Sequence, residues 1–200
     1  MRPMAPDETP ASPLVATAPV ERFFGYYPGT VAVVTSAHAG ARNVMSAGWH
    51  TALSAEPPLY GVAFGRTRHS HGLVLASGAF AVHFLPFERA DAIAGVGSTS
   101  GRDGSDKFAR FGLAAGRGAV LDVPILHDAY LAYECRVQAV YATGDHDLVV
   151  GEVVALHHRP DAFDERRLLD GPRVRAAVYY GRSLFEALGT GELAIHAPSR

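Results

Sequence analysis

A chain of 200 residues with 48% hydrophobic and 19% charged content is long enough for one substantial core and too short for two. A net charge of -2, with the arginines scattered, sets up no long-range field for nucleic acid or an anionic membrane surface. The single cysteine, Cys135, excludes an intramolecular disulfide and suits a reducing, cytoplasmic setting, and no apolar run reaches the roughly 18 residues that a membrane-spanning helix needs.

The chain opens on MRPMAPDETPASPLVATAPV, rich in proline and small residues but without the basic start and continuous apolar stretch of a secretory signal. Residues 1–20 are therefore expected to form a flexible leader. Order is expected from VERFFGYYPGT onward, where aromatic residues meet a Pro-Gly turn and then a β-branched run, Val31 to Thr35. TVAVVTSAHAGARNVMSAGW reads as two strands joined by a turn at Ala39-Gly40, and PPLYGVAFG as a third strand opened by prolines at its edge. SHGLVLASG has the spacing of a short helix ending at Gly78, AFAVHFLP that of another strand, and FERADAIAGVG that of a helix with Ala90, Ile93 and Ala94 on one face. GSTSGRDGSDK is polar and glycine-rich enough to be a loop. LAYECRVQAVYATGDHDLVVGEVVALHHR is the strongest hairpin signal, two long β-rich runs around a Gly-Asp-His turn, with Cys135 inside a strand. DERRLLDG is helical in period and RAAVYYG reads as a last strand. Many strands and few helices predict a mainly β protein, a closed or nearly closed antiparallel barrel carrying helical insertions, because closure removes exposed strand edges. One domain is expected over residues 21–189, followed by a tail at 190–200.

Several chemistries lack their residues. GVGSTSGRDG has neither the Gly-Lys-Ser/Thr of a phosphate loop nor a dinucleotide-binding glycine spacing between strand and helix. His69 and His71 stand two apart and His157 and His158 adjacent, with no metal-ligand spacing to support them, so no metal is expected. No nucleophile elbow Gly-x-Ser-x-Gly is present. What stands out is a stretch of small residues, Ser46-Ala47-Gly48, leading into the only tryptophan, Trp49. It is followed by a cluster of donors, Arg66, Thr67, Arg68, His69 and Ser70, with no acid nearby in sequence.

The pattern Asn43-x-Met45-Ser46-x-x-Trp49-His50-x-x-x-Ser54-x-x-Pro57-Pro58 resembles the signature of the flavin reductase-like, FMN-binding split-barrel family, in its flavoredoxin-type branch. SGAFAVHFLP, Asp106-Lys107-Phe108 and Gly144-Asp145-His146-x-Leu148-x-x-Gly151-x-Val153 are similar to three further motifs of that family, in the family's order, and the likeness runs from about Phe23 to Gly189. It implies an antiparallel Greek-key split barrel that binds FMN, with FAD as the alternative, and takes NAD(P)H as a transient reductant. A flavin is a flat apolar tricycle edged with hydrogen-bonding atoms and tethered to phosphate. Its site needs close backbone approach, an apolar or aromatic wall and anion donors. By this resemblance Asn43, Met45, Ser46, Ala47, Gly48, Trp49 and Ser54 would meet the flavin. Arg66, Thr67, His69 and Ser70 would hold its phosphate, and Lys107 would set a cation near the ring. His146 would be the catalytic position beside the ring, and Tyr179 or Tyr180 would pack on the cofactor. The implied activity is hydride transfer from nicotinamide to flavin, feeding a partner monooxygenase or another redox protein, in a homodimer. The alternative is a flavoredoxin-like electron carrier that oxidises no nicotinamide itself.

Overall fold

The computed structural model describes residues 14–16, 18–20 and 27–188. Most of the expected leader, the segment 21–26 and the expected tail at 190–200 lie outside the described residues. The first strands are β1 (Gly29–Thr30), β2 (Ala32–His38), β3 (Ala41–Ala47), β4 (His50–Ser54) and β5 (Leu59–Gly65). Helix α1 (His69–Ser77) leads to β6 (Ala79–Phe84), and α2 (Ala90–Ser98) and the single turn α3 (Lys107–Arg110) follow. The rest is β7 (Ala115–Arg117), β8 (Pro124–Leu126), the long pair β9 (Leu131–Thr143) and β10 (His146–His158), then β11 (Ala177–Gly181) and β12 (Leu184–Ala187).

Seven strands form one antiparallel sheet in the order β3-β2-β6-β9-β10-β5-β4. Its two edge strands, β3 and β4, are consecutive in sequence and separated only by Gly48 and Trp49. The sheet must therefore curl until its edges meet at that dipeptide, and the Ala63 N–H donates to the Trp49 carbonyl at 2.9 Å, carrying the β4–β5 pairing one residue into the connection. This is the split barrel expected from the sequence.

Residues of alternating strand positions fill the barrel. Val34, Val62, Phe64, Phe80, Val82 and Val149 have no exposed surface, and Phe64 meets Phe80 edge-on with centroids 5.9 Å apart. The other face of β2 and β3 is covered as well: Val33 and Val44 pack with Ile93 and Val96 of α2 and with Phe108 of α3. Burial on both faces explains why β2 reads as a continuous apolar run and not as an alternation. Helix α1 lies against β2 and β3, sinks Leu73 and Val74, and stops where Gly78 turns left-handed at φ 67° and donates to the Val74 carbonyl.

The two strands joined at Ala39-Gly40, the helix ending at Gly78, and the long hairpin β9–β10 fall where the sequence predicts them, with both turn residues at positive φ. Two readings need correction. DERRLLDG is not helical: Asp164 accepts the N–H groups of Arg166 and Leu168, and Phe163 bridges Leu169 as a β pair. The aspartate side chain thus offers the backbone partners that a helix would have supplied. Pro57 and Pro58 belong to the turn between β4 and β5, and β5 is paired on both sides.

Candidate functional site

A cavity of about 290 Å³ opens where the seam of the barrel, the start of α1, the end of α2 and the turn of the long hairpin converge. One wall is the end of β3 and its exit, where Ser46, Ala47 and Gly48 place little side-chain bulk between the cavity and the main chain. Ser46 is held back further, because its hydroxyl donates to the Ile93 carbonyl of α2 at 2.5 Å.

The floor comes from the turn after β5. Thr67, Arg68, His69 and Ser70 all reach the cavity as the chain enters α1. No side chain caps that helix start and its first turn carries no acidic residue, so the positive end of the helix dipole faces the cavity uncompensated. Ser70 is fully buried, and its hydroxyl accepts from the Asn43 amide at 2.9 Å, tying β3 to the helix start. Gly101 closes this corner. A Cβ there would stand 2.5 Å from the Asn43 side-chain oxygen and 2.9 Å from the His69 ring, so only glycine lets the 99–101 backbone pack so close.

Lys107 enters from α3. Its ammonium donates to the carbonyls of Val96 at 2.7 Å and Thr99 at 3.0 Å, satisfying the end of α2, and the third N–H remains for the cavity. Burial, reinforced by the nearby Arg68 charge and opposed by Asp103, brings its pKa down to about 8. At the opposite rim the hairpin turn presents His146, whose Nδ1 bonds the Asp145 carboxylate at 2.7 Å and whose ring lies 4.8 Å from that of Trp49. Tyr179 of β11 completes the rim.

Of the residues expected from the sequence, Asn43, Met45, Ser46, Ala47, Gly48, Trp49, Thr67, His69, Ser70, Lys107, His146 and Tyr179 line this one cavity. Three lie elsewhere. Arg66 turns away, because its guanidinium bonds Asp147 at 2.8 Å, beside His71 on the same carboxylate. Tyr180 follows the strand alternation to the other face of β11 and bonds Glu186. Ser54 ends β4 beyond the cavity. The arginine that faces the cavity is Arg68, which has no carboxylate partner among the described residues.

Residues 24–187 match the family model described as the flavin reductase like domain. This chain belongs to that family. An FMN-binding protein of Thermus thermophilus, solved with bound 1-cyclohex-2-enone, superposes with a TM-score of 0.79 at 35% identity, over 92% of this chain and 100% of that one. An NADH-dependent FMN reductase of Streptomyces nodosus subsp. asukaensis is 33% identical over 136 residues, covering 68% of this chain and 72% of that protein. An uncharacterised protein of Aeropyrum pernix is 36% identical over 131 residues, and the match spans 66% of this chain but only 50% of that relative.

Within this flavin reductase-like chain, sequence reasoning missed Arg68, Gly97 and the 99–101 segment as parts of the cavity. Arg68 was within the donor cluster, and only the turn into α1 decides which of its arginines faces inward. Gly97 and Gly101 sit in a glycine-serine stretch that ends just before Asp106-Lys107-Phe108, and that placement was the available signal. Among the described residues no group of three or more His, Cys, Asp or Glu is placed to hold a metal ion, and no helix is long and apolar enough to cross a membrane.

Proposed function

We propose that the cavity binds FMN and that the chain is an NAD(P)H:flavin oxidoreductase. The observation that carries this reading is the juxtaposition of a wall almost free of side chains at Ser46–Gly48 with an uncapped helix start bearing Thr67, Arg68 and Ser70. A planar ring needs the first and a phosphate the second. The residues fit the group: backbone N–H and C=O groups at 46–48 take the ring edge, and the donors at 67–70 take the phosphate. The Arg68 guanidinium there makes the charge-assisted contact. Bound flavin supplies the two-electron chemistry; the chain binds, orients and shields it.

Lys107 offers its remaining N–H and its charge to the cavity from beside the end of α2. His146, oriented by Asp145 and braced by Trp49, lines the rim where a nicotinamide ring would enter, and acts as donor or steric guide. No nucleophile is required, since holding two rings in contact is itself the main source of rate. The name of the Streptomyces relative supports NADH as reductant, and a homodimer delivering reduced flavin to a monooxygenase or another redox protein is the biological setting we infer. FAD is the alternative flavin.

The test is anaerobic mixing of the FMN-loaded chain with NADH or NADPH. Loss of the oxidised flavin absorbance within seconds supports the reductase. A chain that binds FMN but keeps its oxidised spectrum with both coenzymes is an electron carrier of the flavoredoxin kind instead.

A further inference from the structure

His146 stands where the fold is least held. It pairs with Gly65, the last residue of β5, and the β5–β10 ladder ends at that pair. The hairpin tip beyond it, Ala142 through Asp145, is exposed. Ends of this kind open first, so a ring kept in place there needs a further hold.

One carboxylate supplies it. Asp147, the next residue, accepts from the Arg66 guanidinium at 2.8 Å through one oxygen and meets the His71 ring at 2.8 Å through the other. Arg66 also reaches the His146 carbonyl at 3.4 Å. Arg66 and His71 flank the donors Thr67 to Ser70, so Asp147 grips both ends of the segment that faces the cavity. We propose that Asp147, which does not itself line the cavity, is a positioning residue that holds His146 where the nicotinamide enters. The inference rests on the reductase reading and deepens it.

The grip is shielded: the Asp147 and His71 side chains are 14% and 13% exposed. The Arg66 guanidinium first, and then the His71 ring, hold the Asp147 carboxyl below the usual carboxylate range. The hairpin does not need this contact to form, because β9 and β10 pair along strands of 13 residues each. What the contact fixes is where the hairpin tip sits relative to the start of α1.

That placement matters for the site. The His146 ring rests on the bare Cα of Gly65, where a Cβ would stand 3.4 Å from its Nε2 and 3.3 Å from the Cγ of Arg68. The ring and the Arg68 stem therefore share one glycine. A shift of the tip would change the spacing between the group that guides the nicotinamide and the group that meets the phosphate, and reactivity is steeply sensitive to such displacements.

The experiment is a double-mutant cycle on the FMN-loaded chain, in which His146→Ala, Asp147→Asn and both together are reduced with NADH and NADPH by anaerobic stopped flow. Asp147→Asn keeps the shape of the side chain and removes its charge. It is expected to lower the second-order rate of flavin reduction by about 10- to 100-fold, with FMN affinity within about twofold of the unaltered chain. In the His146→Ala background the same change is expected to add almost nothing, because no ring is left to place. In the chain without flavin, acrylamide quenching of Trp49, the only tryptophan, is expected to rise in Asp147→Asn towards its level in His146→Ala. Arg66→Ala should move both readouts the same way by less, and takes the place of Asp147→Asn should that variant fail to fold. Losses that add in full, reduction as fast as in the unaltered chain, FMN affinity falling as far as the rate, or unchanged Trp49 quenching would each overturn the inference. An unaltered chain that binds FMN and is reduced by neither coenzyme would overturn the reductase reading, and Trp49 quenching would still decide whether Asp147 places His146.

Discussion

Arg66 and Arg68 separate what a residue type can do from what its position allows. Both belong to one short donor cluster, but Asp147 engages the first and the second faces the cavity. Arg68→Ala is expected to weaken FMN by about 10- to 100-fold, the worth of a charge-assisted contact to phosphate, while riboflavin, which has no phosphate, binds almost as before. Arg66→Ala should change FMN affinity little; isothermal titration of the two flavins against both variants reads the difference. Lys107 carries a pH dependence with a defined sign. Its folded pKa is about 8 against an ordinary 10.5, so between those values the unfolded chain holds a proton that the folded chain has released. This group's contribution to stability therefore rises with pH across that window. If FMN binds as proposed, its phosphate would favour the charged ammonium from across the cavity, and binding above pH 8 would take up a proton there. FMN affinity is expected to hold steady below pH 8 and to fall above it, and Lys107→Met should flatten that fall in fluorescence titrations across the same range.

Among the elements, β5, β6 and β11 were legible as short β-rich runs, and the strands placed most sharply were those with a marked turn beside a long β-rich run. The Ala39-Gly40 and Gly144-Asp145 turns located β2, β3, β9 and β10, because positive φ at a tight turn demands particular residues. HTALS was not read as the edge strand β4, and β7 and β8, three residues each, are too short to show any period. They form because tertiary neighbours hold them. The β7–β8 connection depends on one buried side chain, Glu134 of β9. Its carboxylate accepts the N–H groups of Ala119, Val120 and Leu121 at 2.6, 3.0 and 2.6 Å and also meets His157 at 2.7 Å. Burial alone would raise its pKa, but the Leu121 N–H, the His157 ring and the other two N–H groups outweigh it and hold the value down. The resulting stability is present above the ordinary glutamate range and is lost as pH falls through the lower folded value. Glu134→Gln is expected to cost about 1–3 kcal/mol at neutral pH, and urea unfolding should show that difference shrinking towards acid pH.

The whole molecule is one curled sheet whose edges meet at Gly48-Trp49, and the cavity exists because the seam is left partly open there. The interior that holds this curvature is small: Phe64 and Phe80 cross edge-on among valines. Phe80→Ala is expected to cost about 3–5 kcal/mol, a large part of the roughly 5–15 kcal/mol that keeps such a domain folded, and thermal unfolding should show it. That closure was legible in outline from the count and spacing of strands, and the twelve expected residues that share one cavity were legible only through the family's motifs. Neither periodicity nor composition could have joined Asn43, Lys107, His146 and Tyr179, since their meeting depends on the sheet order. The most direct measurement is a crystal structure of the chain soaked with FMN. The phosphate is expected within hydrogen-bond distance of Arg68 and the start of α1, with the ring along the backbone of 46–48. A flavin bound elsewhere, or side chains blocking that wall, would contradict the account.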